Sequence, residues 1–183
     1  ALGVVYFGYA MGAYGVQLWL PQIVQAMGFS TLATGFVVAI PFIASMAAMI
    51  LWGRSSDARG ERIWHVALPA AVAVGGLLVA SLEPSNLAVF LALSVVLVCL
   101  LALQGPFWAL PSTFLGGTAA AGGIALVNTI GTGGGGFVGP YVLGVLREAT
   151  GGYALGMAVL AIGPALTATI VLALSRRMAV RPA

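Results

Sequence analysis

Gly53-Arg54-Ser55-Ser56-Asp57-Ala58-Arg59-Gly60-Glu61-Arg62 carries five of the eleven charged residues (seven basic, four acidic) in a chain that is only 6% charged. To its left, fifty-two residues pass without an Asp, Glu, Lys or Arg; to its right, Ile63 to Leu82 is again uncharged and apolar. A membrane span needs roughly 20 apolar residues, so the stretch reads as a short polar turn joining two spans.

The rest of the composition agrees. Of 183 residues 61% are hydrophobic and the mean hydropathy is +1.11, whereas a soluble domain carries about 25% charged residues. The fold class is all-α integral membrane. The formal net charge of +3 comes entirely from Arg residues placed in loops, so it reports topology and not nucleic-acid binding. The single Cys99 lies in an apolar run with no partner for a disulfide or a metal. No cofactor and no metal are expected.

Charge-free runs cover 1–53, 63–82, 84–146 and 149–175, and the two longest must each hold two helices. The first breaks between Pro21 and Thr31, the third around Pro111 to Gly117. This predicts six helices, near 1–26, 32–53, 63–82, 86–110, 118–147 and 152–175. Arg54, Arg59 and Arg62 follow the second helix and Arg176, Arg177 and Arg181 the sixth, with only Arg147 on the other side. Loop 53–62 and the C-terminus are therefore expected in the cytoplasm, by the positive-inside rule. Trp19, Trp52 and Trp64 fall at helix ends and read as interfacial anchors. The first run has neither an initial Met nor a basic leader, and further spans follow it, so it reads as a true span in part of a longer protein.

At about 100° per residue, Gly3, Tyr6, Tyr9, Ala10, Ala13, Tyr14 and Gln17 share one face of the first helix. That face is either a close-packing surface with hydrogen-bonded hydroxyls or the wall of a hydrated cavity. In the second helix, Pro41 and Ser45 predict a bend. His65 reads as a loop-edge residue, because its own helix holds no carboxylate for a proton relay. Gln104 and Trp108 lie in the irregular segment Gln104 to Pro111, which holds Pro106 and Pro111, the kind of backbone tolerated at membrane depth only against protein or water. In the fifth helix Asn128 is the one amide near the centre, either a substrate contact or an interhelical hydrogen bond. Gly131, Gly135 and Gly139, followed by Pro140, form a bare stripe suited to close packing and flexing.

The pattern Gly-x-x-x-Asp-x-x-Gly-x-Arg at Gly53, Asp57, Gly60 and Arg62 resembles the loop signature of the major facilitator superfamily. Two positions depart from it, Ala58 and Glu61 standing where that family has basic residues; Arg54 and Arg59 supply the displaced charge. Leu18-Trp19-Leu20-Pro21-Gln22-Ile23, Trp64-His65-Val66-Ala67-Leu68-Pro69 and Phe107-Trp108-Ala109-Leu110-Pro111 are similar to segments of its anion:cation symporter branch, especially carriers of tartrate, aldarates, phthalate and hydroxyphenylacetate. The resemblance covers essentially the whole chain. It implies the C-terminal half of a twelve-helix, proton-coupled carrier of small organic anions in the bacterial cytoplasmic membrane, partnered by an N-terminal six-helix half. It also implies a substrate-contacting Asn in the fifth helix, which Asn128 matches, and a gating role for Gly53, Arg54, Asp57, Arg59, Gly60 and Arg62; from the residue patterns above, Tyr6, Tyr9, Tyr14, Gln17, Gln104 and Trp108 are expected to join Asn128 at the substrate.

Other classes fit less well. A membrane-embedded protease needs a His deep in a helix or a His/Glu cluster, and a channel needs a ring of charge or a filter sequence. A transporter-like sensor that binds without translocating remains the alternative.

Overall fold

The computed structural model describes residues 1–82, 84–112 and 116–179. Among these the chain is helical almost throughout, with no strand: α1 Leu2–Ala26, α2 Thr31–Arg59, α3 Ile63–Leu82, α4 Asn86–Ala102, α5 Gln104–Ser112, α6 Gly117–Asn128, a π-helical segment Thr129–Gly135, α7 Gly136–Thr150, α8 Ala154–Leu160 and α9 Ile162–Ala179. The expected turn at Pro111 to Gly117 falls partly outside the described residues, and Arg181 lies wholly outside them.

Among the described residues, four helical stretches are long and apolar enough to cross a membrane: Thr31–Arg59, Ile63–Leu82, Asn86–Pro111 and Ala154–Ser175. α1 is not among them, because its tyrosines, glycines and Gln17 dilute its hydropathy. It compensates by position. Packed against α9, α7, the π segment and α4, it buries about half of its length inside the bundle.

Local chemistry explains the helix ends and breaks. Ser30 caps α2 by accepting from the Ala33 N–H at 3.3 Å, and Ser85 does the same for α4 with Ala88 at 3.5 Å. Pro106 and Pro164 have no N–H to offer the carbonyls of Ala102 and Leu160, and the helix assignments part at Leu103 and Ala161. The Ser45 hydroxyl does reach back along α2, but to the Pro41 carbonyl at 2.7 Å and not to the Val37 carbonyl that the proline leaves free.

The largest difference from expectation concerns the charged stretch. It is not a turn from residue 53 onward: α2 continues through Arg59, since no proline interrupts 51–59 and the lone Gly53 costs a helix only about 1 kcal/mol. Gly60, at φ 60°, then ends it, with the Glu61 N–H on the Ser56 carbonyl and the Gly60 N–H on the Asp57 carbonyl. The turn proper is only Gly60 to Arg62.

Backbones approach closely around α1. Gly8 and Gly163 face each other so tightly that a Cβ on either would overlap the other's carbonyl oxygen. A Cβ at Gly131 would strike the Tyr6 ring, one at Gly135 the Phe7 carbonyl, and one at Gly139 the Met11 carbonyl. Gly133, by contrast, faces open space. Gly139→Val is therefore expected to cost about 1–3 kcal/mol or more, because backbone and not a movable side chain stands in the way. Gly133→Ala should be neutral or stabilising by up to about 1 kcal/mol. Thermal unfolding of the two variants in detergent measures the difference, and equal melting temperatures would contradict the packing described.

Candidate functional site

Where α1, α5 and the π segment meet, polar and aromatic side chains gather. The Tyr6 ring stacks on Tyr9 (centroids 5.1 Å, planes 20° apart) and on Phe107 (5.0 Å, 12°), with Trp108 edge-on at 4.7 Å. The Gln104 amide donates to the Tyr9 hydroxyl. The Tyr6 hydroxyl interacts with the side chains of Thr132 and Trp108. Thr132 in turn donates to the Asn128 amide oxygen at 3.0 Å, so Asn128 joins the cluster through an intermediary. Tyr9 is only 1% exposed whereas Asn128 is exposed, and the network runs from the interior of the bundle to its surface. It contains no charged side chain. Chemically it offers hydroxyl and amide hydrogen bonds beside an indole and a phenyl ring, a combination suited to a small molecule carrying oxygens on a compact body.

The other residues singled out lie elsewhere. Tyr14 is half-buried with its ring against Gly136, two turns along α1 from Tyr6, and Gln17 is half-buried one turn further. The Pro140 carbonyl accepts from the Trp19 indole at 2.9 Å, and Arg147 sits over the rings of Trp19 (5.4 Å) and Tyr153 (4.8 Å), tying α1 to α7. Phe107 and Thr132 belong to the cluster although sequence reasoning did not select them. Phe107 adjoins Trp108, and Thr132 stands one turn beyond Asn128, so adjacency was the available signal.

A second network occupies the α2–α3 junction. Arg62 pairs with Asp57 at 2.6 Å and donates to the Ser56 hydroxyl at 2.8 Å, which itself donates to the Glu61 carbonyl. Asp57 remains 70% exposed. A Cβ on Gly53 would meet nothing nearby, and Arg54 is exposed. Glu61, at a position where the resemblance expects a base, caps α3: its carboxylate accepts from the N–H groups of Trp64 at 2.7 Å and His65 at 3.2 Å. The loop-edge reading of His65 needs correction. Its side chain is buried, with Nδ1 2.7 Å from Glu61 and Nε2 3.1 Å from the Ser55 hydroxyl, while the Trp52 indole donates to its carbonyl at 2.8 Å. The carboxylate partner exists because Glu61 lies one turn before His65, just ahead of the helix in which a partner was sought. Partial burial raises the Glu61 pKa, but the N–H donors of Trp64 and His65 and the adjoining imidazole outweigh it and leave the carboxyl below its ordinary value.

Apolar helices long enough to span a bilayer, arranged around a polar cluster that holds no charge, define a multi-pass membrane protein. Its relatives are transporters. Over 176 residues the chain is 43% identical to an Agrobacterium vitis protein named as a tartrate transporter, covering 96% of this chain and 40% of that one. It is 36% identical over 162 residues to a quinolone resistance transporter of Acinetobacter baumannii (88% and 37% covered). It is also 36% identical over 141 residues to an inner membrane transport protein of Escherichia coli (76% and 32%). No family model matches. The chain thus spans about two fifths of the length of the curated relatives it matches. The names of these relatives are those of transporters, in line with the resemblance to the major facilitator superfamily.

Two outcomes follow from these networks. Tyr9→Phe should cost about 1–3 kcal/mol of stability, because it strands the Gln104 amide, and Tyr9→Phe combined with Gln104→Leu should recover part of that loss in thermal unfolding. Because the folded-state pKa of Glu61 is depressed, its contribution is present above the unfolded carboxylate pKa and is lost as pH falls through the folded value. Glu61→Gln should therefore flatten the acid side of a melting temperature against pH profile, and an unchanged profile would count against the capping role.

Proposed function

We propose that this chain forms one six-helix half, the C-terminal one, of a twelve-helix secondary transporter that carries a small organic carboxylate anion across the bacterial cytoplasmic membrane. In this reading the spans are those near 1–26, 32–53, 63–82, 86–110, 118–147 and 152–175, and the 53–62 stretch and C-terminus face the cytoplasm. Two bundles rock about a midplane site, with proton symport driving accumulation. The observation that carries the reading is the neutral Tyr6–Tyr9–Gln104–Trp108–Thr132–Asn128 network in a relative of tartrate and metabolite transporters.

Charge considerations support the division of labour. A carboxylate substrate is costly to bury without a cationic partner, and proton coupling needs an acid. Neither lies within the described spans, so both belong to the other half. This half then contributes neutral recognition: Asn128, Thr132 and Gln104 for oxygens, and Trp108 for the substrate's body, with Tyr14 and Gln17 further along the same helix as Tyr6 and Tyr9. Gly131, Gly135 and Gly139 with Pro140 let the fifth span flex against α1. Asp57, with Arg54, Arg59 and Arg62, serves as the cytoplasmic latch, its carboxylate paired with Arg62 but exposed enough to meet a helix N-terminus of the other bundle as well; contacts of that kind are worth about 0.3–2 kcal/mol. The sensor alternative has no observation in its favour, since the relatives are transporters.

The test is uptake of labelled tartrate by proteoliposomes containing the complete protein. Saturable, proton-gradient-dependent uptake and counterflow are expected. Asn128→Ala and Thr132→Val should each raise KM by about tenfold, the equivalent of one lost hydrogen bond near 1.4 kcal/mol, with the melting temperature unchanged. Affinity intact alongside a lowered melting temperature would make these residues structural.

A further inference from the structure

α2, α3 and α4 enclose a groove of about 400 Å³ lined by Ala48, Leu51, Trp52, Leu68, Val72 and Cys99, among others. Its wall is almost wholly apolar, and Leu51 and Leu68 are more than half exposed along it. It runs toward the charged end of α2. Ala48, Trp52, Ser55 and Arg59 fall on one face of that helix, and Arg59 folds back to donate to the Ser55 hydroxyl. The guanidinium is thereby held about 4.5 Å beyond Trp52 along the axis, at the groove's end.

Charge balance singles out this end of α2. Arg62 is neutralised by Asp57, and Glu61 faces His65. Among the described residues, neither Arg54 nor Arg59 forms an ion pair. Arg59 thus stands as an exposed cation at the end of an apolar slot, while Arg54 lies about 120° round the helix from the lining face. A ligand matching both parts needs a hydrocarbon chain and a negatively charged head at one end of it. We propose that the groove binds one anionic phospholipid of the leaflet that the orientation proposed above makes cytoplasmic, an acyl chain lying along Leu51, Val72 and Cys99 and the phosphate on Arg59. A zwitterionic lipid offers the same chain but no net charge, so selection rests on the head group. The site does not depend on what the protein carries.

The experiment uses the complete protein in nanodiscs of phosphatidylcholine doped with phosphatidylglycerol, reading retained lipids by native mass spectrometry and the melting temperature alongside. The wild type should retain one phosphatidylglycerol in preference to phosphatidylcholine and melt higher as the doping rises. Arg59→Gln should weaken retention about fivefold, the worth of one cation near an anionic surface. Cys99→Trp, which fills the slot and leaves both arginines in place, should abolish it. If that variant does not fold, Ala48→Phe on the half-exposed wall serves the same purpose. Equal retention of the two lipids by the wild type, or preferential retention that survives both the charge and the filling variants, would overturn the proposal.

Discussion

Everything in this bundle rests on how closely other backbones approach α1. Inside a bilayer, burying apolar surface drives little helix association, because lipid tails are as apolar as leucine; tight van der Waals contact takes that role. Gly8 against Gly163, and Gly135 and Gly139 against the carbonyls of Phe7 and Met11, leave no room for even one methyl group. The approach carries α1 into the centre of the bundle, where a helix of modest hydropathy escapes lipid and can keep its tyrosines. Tyr6 and Tyr9 then meet α5, and the network out to Asn128 follows.

Charge is managed by exclusion. Within the described spans hydroxyls, amides and rings do the polar work, and guanidinium and carboxylate groups stand at the helix ends, where water lowers their cost. At the α2–α3 junction these end groups also knit structure. Glu61 satisfies two N–H groups that α3 would otherwise leave bare, and the same carboxylate orients a buried imidazole that reaches back to α2 through Ser55. Two helices are locked at one end while their opposite ends diverge into separate contacts.

Much of this was legible in the residues. Charge-free runs, prolines and serine caps mark the helices because hydropathy and missing donors act locally, and the Tyr/Gln stripe of α1 marks the one helix with polar business. Three features were not legible. The extension of α2 to Arg59 depends on the helix tolerating Gly53 and meeting no proline before Gly60, and charge density there imitates a loop. The Glu61–His65 pair crosses a helix boundary, so a search confined to one helix overlooks it. The π winding of Thr129–Gly135 has no side-chain signature beyond glycine richness, because it is settled by the fit to α1.

That winding bears on the stripe Gly131, Gly135, Gly139. In an ideal α-helix residues four apart sit about 40° past a full turn, so a four-residue repeat spirals slowly around the axis. A wider, π-wound stretch brings the fourth residue nearer to eclipsing the first and straightens the stripe into a rail. Sideways the rail is stiff, since backbone abuts backbone. Lengthwise it discriminates little: two of its three notches receive carbonyl groups, which every residue of α1 could supply. Only the first holds a side chain, the Tyr6 ring against Gly131. Within the stripe one aromatic detent therefore marks the axial register, which the Trp19 hydrogen bond to the Pro140 carbonyl fixes again further along, and the detent is the same ring that anchors the polar network.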